Sequence, residues 1–178
     1  VTVHVETEYL SELSDEDYER LGRVITLIGP NGTLEKDSGV NAMPIEPDGF
    51  NNPDELITHV TYVKAPEFIR MIQTLMGKEL FVKGLDLYHR KFKHSNATRK
   101  QWIECMEKVS KIPLQKMSNT WLKQTGFPVV DIRTNYNKKS QKFTVFIKQK
   151  KEKAKTFWEF PLDLAIFDKK GKNLANKL

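Results

Sequence analysis

The sequence predicts a mainly α-helical protein that ends in a β-structured part. Up to about residue 127, apolar side chains recur at spacings of three and four residues, which is the period of an amphipathic helix. Beyond Pro128 the pattern changes to short runs rich in valine, isoleucine and phenylalanine, which favour strands. We therefore expect a helical region over residues 1–127 and a β region over residues 128–178.

The composition is typical of an ordinary folded protein. The chain has 178 residues, 39% of them apolar and 29% charged, which is enough for one good core or two small ones. No apolar run reaches the length of a bilayer crossing, and no basic-then-apolar leader opens the sequence, so no membrane segment is expected. The single cysteine, Cys105, rules out an intrachain disulfide and favours a reducing, cytoplasmic compartment.

The secondary-structure signals in residues 1–53 differ from segment to segment. Residues 1–5 alternate apolar and polar side chains, which on its own is typical of a strand. A helix follows, because residues 14–17 offer an N-terminal cap and residues 29–32 form a turn signal. Its apolar stripe consists of Tyr18, Leu21, Val24, Ile25 and Ile28. Residues 33–53 carry little periodicity and several helix breakers, which predicts an ordered surface loop.

A central helix is predicted from Phe68 to Met76, with Gly77 as its end. Pro66 fits the first turn of a helix better than its interior, because proline has no amide hydrogen to donate. This leaves Tyr62 at or just before the helix entrance, where its hydroxyl can point into a cleft. A tyrosine in such a place is more commonly a packing residue whose hydroxyl forms one hydrogen bond. The residues alone therefore leave open whether Tyr62 packs in the interior or acts in a cleft.

Three more helices are expected before the β region. The first ends near His94, and the second opens at a capping box formed by Thr98 and Gln101. The third has Pro113 in its first turn and ends at residues 126–128.

Strand-like runs follow at residues 129–132, 143–147 and 157–167, separated by residues 135–137 and by a lysine-rich segment, with a hairpin-like turn at 168–172. The lysines at positions 148–155 could bind nucleic acid, but they are not interleaved with arginine and aromatic residues. A solvated loop is therefore the preferred interpretation, and no nucleic-acid partner is expected.

The residues alone offer no metal site. None of the histidines, His4, His59, His89 and His94, belongs to a His-Glu-x-x-His helix, the motif that places two zinc-binding histidines on one face. His4 and Glu8 have the spacing of one helix face, but a lone pair of this kind is more often a surface contact. We expect no metal ligands within this chain.

Three motifs appear in a characteristic order. They are Tyr62-Val63-Lys64-Ala65 before the central helix, the Gly-x-Glu-x-Phe-x-x-Gly segment at 77–84, and the Trp-x-x-Gln-x-Gly-x-Pro turn at 121–128. Together they resemble the zinc-dependent aminopeptidase N family, most closely its bacterial alanyl-aminopeptidase branch. The resemblance implies the helical C-terminal part of a thermolysin-like catalytic domain over residues 1–127, and the beginning of a β-sandwich domain over residues 128–178. It also implies a helix, not a strand, at the start of the chain.

The resemblance further implies an internal fragment of a zinc metallo-aminopeptidase, which removes N-terminal amino acids from peptides. Tyr62 matches the family tyrosine whose hydroxyl, together with zinc, stabilises the oxyanion of the tetrahedral intermediate. Lys64 matches the lysine two residues later, for which we expect support of the helix start. The zinc ligands, the general base and the glutamates that bind the substrate amino terminus correspond to positions before Val1. Zinc is therefore expected in the parent protein but not in this chain, which alone should be inactive.

The expected substrate pocket rests on three residues. Pro44 and Pro47 match a Pro-Ile-x-Pro-Asp segment along the cleft wall of the relatives, and Ile57 stands where the bacterial relatives have an aromatic residue. The expected partners are peptides with a free amino terminus and the remainder of the parent aminopeptidase. The alternative is a non-catalytic aminopeptidase-like scaffold that acts as a protein-interaction module.

Overall fold

The computed structural model describes residues 1–150 and 156–177, and its regular structure is mainly α-helical, as predicted. The α-helices are α1 (Thr2–Leu13), α2 (Glu16–Ile28), α3 (Thr33–Asp37), α4 (Ala65–Met76), α5 (Lys78–Phe92), α6 (Arg99–Ser110) and α7 (Gln115–Lys123). A 3-10 helix covers Pro53–Leu56, and a π-helix covers Val60–Lys64. The strands are β1 (Val129–Asn137), β2 (Lys142–Lys150), β3 (Leu164–Phe167) and β4 (Asn173–Lys177).

The chain starts with a helix, which confirms the expectation taken from the family and not the strand-like alternation of residues 1–5. Helix α2 is also confirmed, and the Asp15 carboxylate accepts a hydrogen bond from the Tyr18 amide at 2.9 Å. Most of the predicted apolar stripe is nevertheless exposed. The exposed members, at 56% to 73%, are Tyr18, Leu21, Ile25 and Ile28.

The prediction of a loop over residues 33–53 is wrong at its start. Helix α3 occupies Thr33–Asp37, where five residues are too few to show a helical period in the sequence. Thr33 and Asp37 are both buried whereas Glu35 and Lys36 are exposed, so one side of this short helix faces the interior.

Two compact units divide the described structure, and each is built from separate stretches of the chain. The first contains Val1–Glu67 and Ser118–Trp158, with the hydrophobic residues Leu27, Val60, Trp121, Leu122 and Trp158 buried. The second contains Phe68–Met117 and Glu159–Leu178. In it the rings of Phe81 and Trp102 meet edge to face at 6.4 Å between centroids, joining α5 to α6. The proposed domain boundary between residues 127 and 128 stays a prediction.

The start of α6 confirms the capping box, because Thr98 Oγ1 accepts from the Gln101 amide and Gln101 Oε1 accepts from the Thr98 amide. Helix α7 begins later than expected, so Pro113 precedes it and does not lie in its first turn. The reason is the Glu107 carboxylate, which accepts hydrogen bonds from the amides of Leu114 and Gln115 at 2.6 and 3.0 Å and so caps the helix at this point.

The strands form two separate antiparallel pairs. In the first, β1 and β2 pair from Val129 with Lys150 to Asn137 with Lys142, so residues 135–137 belong to a strand and do not separate strands. The lysines at 148–150 lie in β2, and those at 151–155 fall outside the described residues.

The predicted strand over 157–167 is confirmed only for Leu164–Phe167. Upstream of it, the Gln149 side chain bonds the Trp158 amide at 2.6 Å and the Trp158 carbonyl at 3.0 Å. Those bonds take the place of a strand ladder. The predicted turn at 168–172 is present between β3 and β4, and the Asp168 carboxylate accepts there from the Lys170 and Lys172 amides. The β-sandwich itself stays a prediction.

Candidate functional site

Tyr62 lies inside a continuous helix, on the π-helix that runs directly into α4. The Ala65 amide bonds the Val60 carbonyl, five residues earlier, as in a π-turn. Pro66 is the second residue of α4 and so lies in its first turn, as predicted, but the π-helix continues this helix upstream of it. In an α-helix the Pro66 ring would collide with the carbonyl four residues earlier, which belongs to Tyr62. The wider π-turn accommodates the proline without ending the helix.

Threonines hold the N-terminal end of this π-helix. The Thr61 hydroxyl donates a hydrogen bond to the Leu56 carbonyl at 2.6 Å, and the Thr58 hydroxyl accepts from the Thr61 amide at 3.3 Å. The Tyr62 amide also bonds the Thr58 carbonyl at 3.1 Å. With its backbone held in this way, Tyr62 is 52% exposed.

Lys64, two residues further, is buried in a cluster of five residues that we call the Lys64 cluster. Its ammonium Nζ donates to Asp37 Oδ2 at 2.6 Å and to the Gly126 carbonyl at 2.8 Å. The Gly126 amide donates to the same carboxylate oxygen at 2.9 Å. The rings of Trp121 and Trp158 lie 5.8 and 5.0 Å from Nζ, within the range of a cation–π interaction.

The two charges of the Lys64 cluster depend on each other. Burial lowers the pKa of Lys64, and the nearby Asp37 carboxylate opposes that change. Burial likewise raises the pKa of Asp37, opposed by the Lys64 charge and by the Gly126 amide. The charge of each partner thus limits the pKa shift that burial causes in the other, and either charge alone would be buried and unpaired.

The predicted pocket residues lie in the same compact unit as Tyr62. Ile57 is 63% exposed and stands between the 3-10 helix and the π-helix. Pro44 and Pro47 are half-buried in the loop after α3. Between them, the Glu46 amide donates to the Leu122 carbonyl at 2.8 Å, which ties this loop to α7. Their assignment to a substrate pocket stays a prediction.

Sequence reasoning missed a neighbouring cleft of about 460 Å³. Its lining does not include Tyr62, Ile57 or the two prolines, although Met43 and Thr58 on its wall adjoin Pro44 and Ile57 in the chain. The cleft is lined by Lys36, Asn41, Ala42, Met43, Glu55, Thr58, His59 and Val60. The only signal in the sequence was this adjacency to residues already singled out.

The described residues do not supply a metal centre. Within ranges 1–150 and 156–177, no group of three or more histidine, cysteine, aspartate or glutamate side chains is arranged to hold a metal ion. His4 is buried in α1, so it is not the surface residue that the sequence suggested. A zinc ion therefore does not fit the side chains described here, and no chemical step is derived from one within this chain. Nor does any helix in the described part combine the length and apolar character needed to cross a membrane.

Comparison with known proteins agrees with this architecture. The Peptidase family M1 domain matches residues 2–121. Aminopeptidase N of Escherichia coli is 30% identical over 97% of this chain, and aminopeptidase N of Haemophilus influenzae is 26% identical over 96% of it. The chain spans about a fifth of the length of each of these relatives.

A solved structure has the same fold over most of the chain. Aminopeptidase A of Legionella pneumophila, crystallised with aspartic acid, aligns with 72% of this chain and 15% of its own at a TM-score of 0.61 and 19% identity. At that identity the likeness shows the fold alone. The family match covers well over half of the chain, from the first turn of α1 to Trp121 of the Lys64 cluster. The chain therefore belongs to peptidase family M1, as its resemblance to aminopeptidase N predicts.

Proposed function

We propose that this chain is part of a zinc-dependent aminopeptidase that removes N-terminal residues from peptides, and that Tyr62 is its oxyanion-stabilising residue. The observation that carries the proposal is the presentation of Tyr62: a half-exposed phenol on a π-helix that is anchored by threonines at one end and by buried Lys64 at the other. π-Turns inside α-helices are frequent at functional sites.

The proposed chemistry of Tyr62 is electrostatic. When a nucleophile attacks the scissile carbonyl, the carbonyl oxygen gains negative charge, and a phenol already aimed at that oxygen donates a hydrogen bond that strengthens as the charge grows. One such donor contributes about a hundredfold to a thousandfold in rate. Zinc, held by ligands that we place outside this chain, would supply Lewis-acid stabilisation of the same charge.

The substrates we propose are peptides with a free amino terminus. Pro44, Pro47 and Ile57 are assigned to the pocket for the first side chain, where the branched aliphatic Ile57 offers no ring for stacking. The groups that bind the amino terminus are placed in the remainder of the parent protein, because the chain spans about a fifth of its aminopeptidase N relatives. For the same reason the isolated chain is proposed to be inactive. The single, buried Cys105 supports a cytoplasmic location.

The test compares Tyr62→Phe with the unchanged full-length protein, by zinc content and by cleavage of an alanyl reporter. The variant should keep its zinc, because only the hydroxyl is removed. Its kcat should fall by about a hundredfold to a thousandfold, because the hydrogen bond to the oxyanion is lost. Tyr136→Phe is the matched control, since Tyr136 on β1 is equally exposed at 53%, and its kcat should not change. Full activity of Tyr62→Phe would contradict the assignment.

One observation favours the alternative of a non-catalytic scaffold. Apolar side chains on α1 and α2 are exposed, among them Tyr9, Leu13, Tyr18 and Ile28, and if they form one contiguous patch it would be a protein-interaction site. If the full-length protein contained no zinc and cleaved no aminoacyl reporter, the interaction module would replace the aminopeptidase as the assigned function.

A further inference from the structure

Tyr62 and Lys64 project from the same π-helix in roughly opposite directions. Residues two apart in a helix do not share a face. The exposures agree with this geometry, since the Tyr62 side chain is 52% exposed and Lys64 is 1% exposed. Any rotation of this segment about its axis must therefore move the outward phenol and the inward ammonium together.

The inward side is fixed by a closed set of hydrogen bonds. Asp37 Oδ2 accepts from both Lys64 Nζ and the Gly126 amide, and Lys64 Nζ also donates to the Gly126 carbonyl. Lys64 belongs to the π-helix, Asp37 to α3 and Gly126 to the turn after α7. Asp37 is 27 residues and Gly126 is 62 residues from Lys64 in the sequence. The bonds therefore hold the π-helix against two segments that are distant from it in the sequence.

The backbone of the π-helix alone holds its C-terminal end weakly. π-Turns are rare, and Pro66 removes one backbone hydrogen bond at the junction with α4. The N-terminal end is held by the Thr61 hydroxyl on the Leu56 carbonyl, but that bond lies on the side of Tyr62 away from Lys64. The C-terminal end has Lys64 as its buried anchor.

We propose that Lys64 and Asp37 are positioning residues for the reaction of Tyr62: the bond from the Lys64 ammonium to the Asp37 carboxylate and the Gly126 turn sets the rotation of the π-helix, and so the direction of the phenol. This inference rests on the proposed function. Neither residue touches substrate, and both act through Tyr62. Without the link the phenol shifts relative to the developing oxyanion, and a displacement of about 1 Å costs roughly a hundredfold in rate.

The first variant is Lys64→Met in the full-length protein, which keeps the length of the side chain and removes the ammonium. Its kcat on an alanyl reporter should fall by roughly tenfold to a hundredfold, with KM changed little, because the affected interaction exists only in the transition state. Lys83→Met is the matched control, because Lys83 is an exposed lysine on α5, and its kcat should equal that of the unchanged protein.

The decisive measurement is the double variant Lys64→Met/Tyr62→Phe. If Lys64 acts through Tyr62, its substitution should change kcat by no more than about threefold in the Tyr62→Phe background, where no hydroxyl remains to be positioned. A general structural role would lower kcat by the same factor in both backgrounds, and that multiplicative result would overturn the inference while leaving the role of Tyr62 intact. If Tyr62→Phe alone retained full kcat, the proposed function would fail first, and the inference with it.

Lys64→Met leaves a buried carboxylate unpaired, so its fold must be checked by thermal unfolding and zinc content. If it does not fold, the same cycle is run with Asp37→Asn, which keeps the shape of the side chain but removes the negative charge that holds the Lys64 ammonium. The expectation is the same in direction: a loss of kcat that disappears when Tyr62 is replaced by phenylalanine. An equal loss in both backgrounds would again overturn the inference.

Discussion

Asp37→Asn should destabilise the first compact unit by about 3 kcal/mol near neutral pH. Removing one partner of a buried ion pair typically costs about 3–5 kcal/mol, because the other charge stays buried and unpaired. Asp37 is fully buried, and its carboxylate lies 2.6 Å from the Lys64 ammonium. The lower end of the range applies, since the Gly126 carbonyl and the two tryptophan rings still face the ammonium in the variant.

The loss should shrink as the pH rises. Burial already lowers the pKa of Lys64 from 10.5, and the Asp37 charge opposes this, so the pKa falls further in the variant. Between that lowered folded-state pKa and 10.5, the unfolded chain binds a proton that the folded chain does not. Stability of the variant therefore increases with pH in this window, by at most about 1.4 kcal/mol per pH unit.

The assay is denaturant unfolding of the full-length protein at several pH values, followed by tryptophan fluorescence. Trp121 and Trp158 stack edge to face at 4.8 Å between ring centroids beside Lys64, so they report on this cluster. Asp48→Asn is the control, because Asp48 is fully exposed and its loss should change stability by less than about 0.5 kcal/mol. A variant as stable as the unchanged protein, or one whose loss grew with pH, would refute this account of the buried pair.

Two further predictions concern packing and capping in the helices. Gly84→Ala should lower the free energy of unfolding by about 1 kcal/mol, because a Cβ at this position would lie 2.5 Å from the sulfur of buried Met106. Gly22→Ala, where the added Cβ meets open space, should raise it by about 0.5–1 kcal/mol. Urea unfolding midpoints test both variants, and equal shifts would contradict the prediction. Thr98→Ala should lower the free energy of unfolding by about 1 kcal/mol, because the capping box with Gln101 is lost. Thr98→Ser keeps the hydroxyl and should retain most of that stability, so a Thr98→Ser variant as unstable as Thr98→Ala would contradict the role of the hydroxyl.

Local patterns were sufficient where the determining contacts are local. The capping box of Thr98 with Gln101 and the turn around Asp168 both involve residues within a few positions, and both are present as predicted. Helix α2 was also predicted from its period. Periodicity states that a helix has an apolar face, but not what covers that face, which is why the exposure of Leu21 and Ile25 was not foreseen.

The candidate site was predictable in its residues more than in its geometry. Tyr62 and Lys64 were singled out by resemblance, but the partner of Lys64 is Asp37, 27 residues earlier in a segment without periodicity. No local rule connects the two. The preference of proline for a first turn correctly marks the start of α4, but no local rule predicts the π-helix that precedes it.

The π-turn has a consequence for how this segment can vary between proteins. In a regular α-helix each residue advances about 100° around the axis, so the direction of one side chain fixes the directions of all the others. The wider turn at Val60–Lys64 shifts that phase between Tyr62 and the first residues of α4. Deleting one residue from the turn would restore the regular phase and turn Tyr62 by about 100° around the helix axis. The number of residues in this turn thus fixes the direction of the phenol relative to the helical phase of α4.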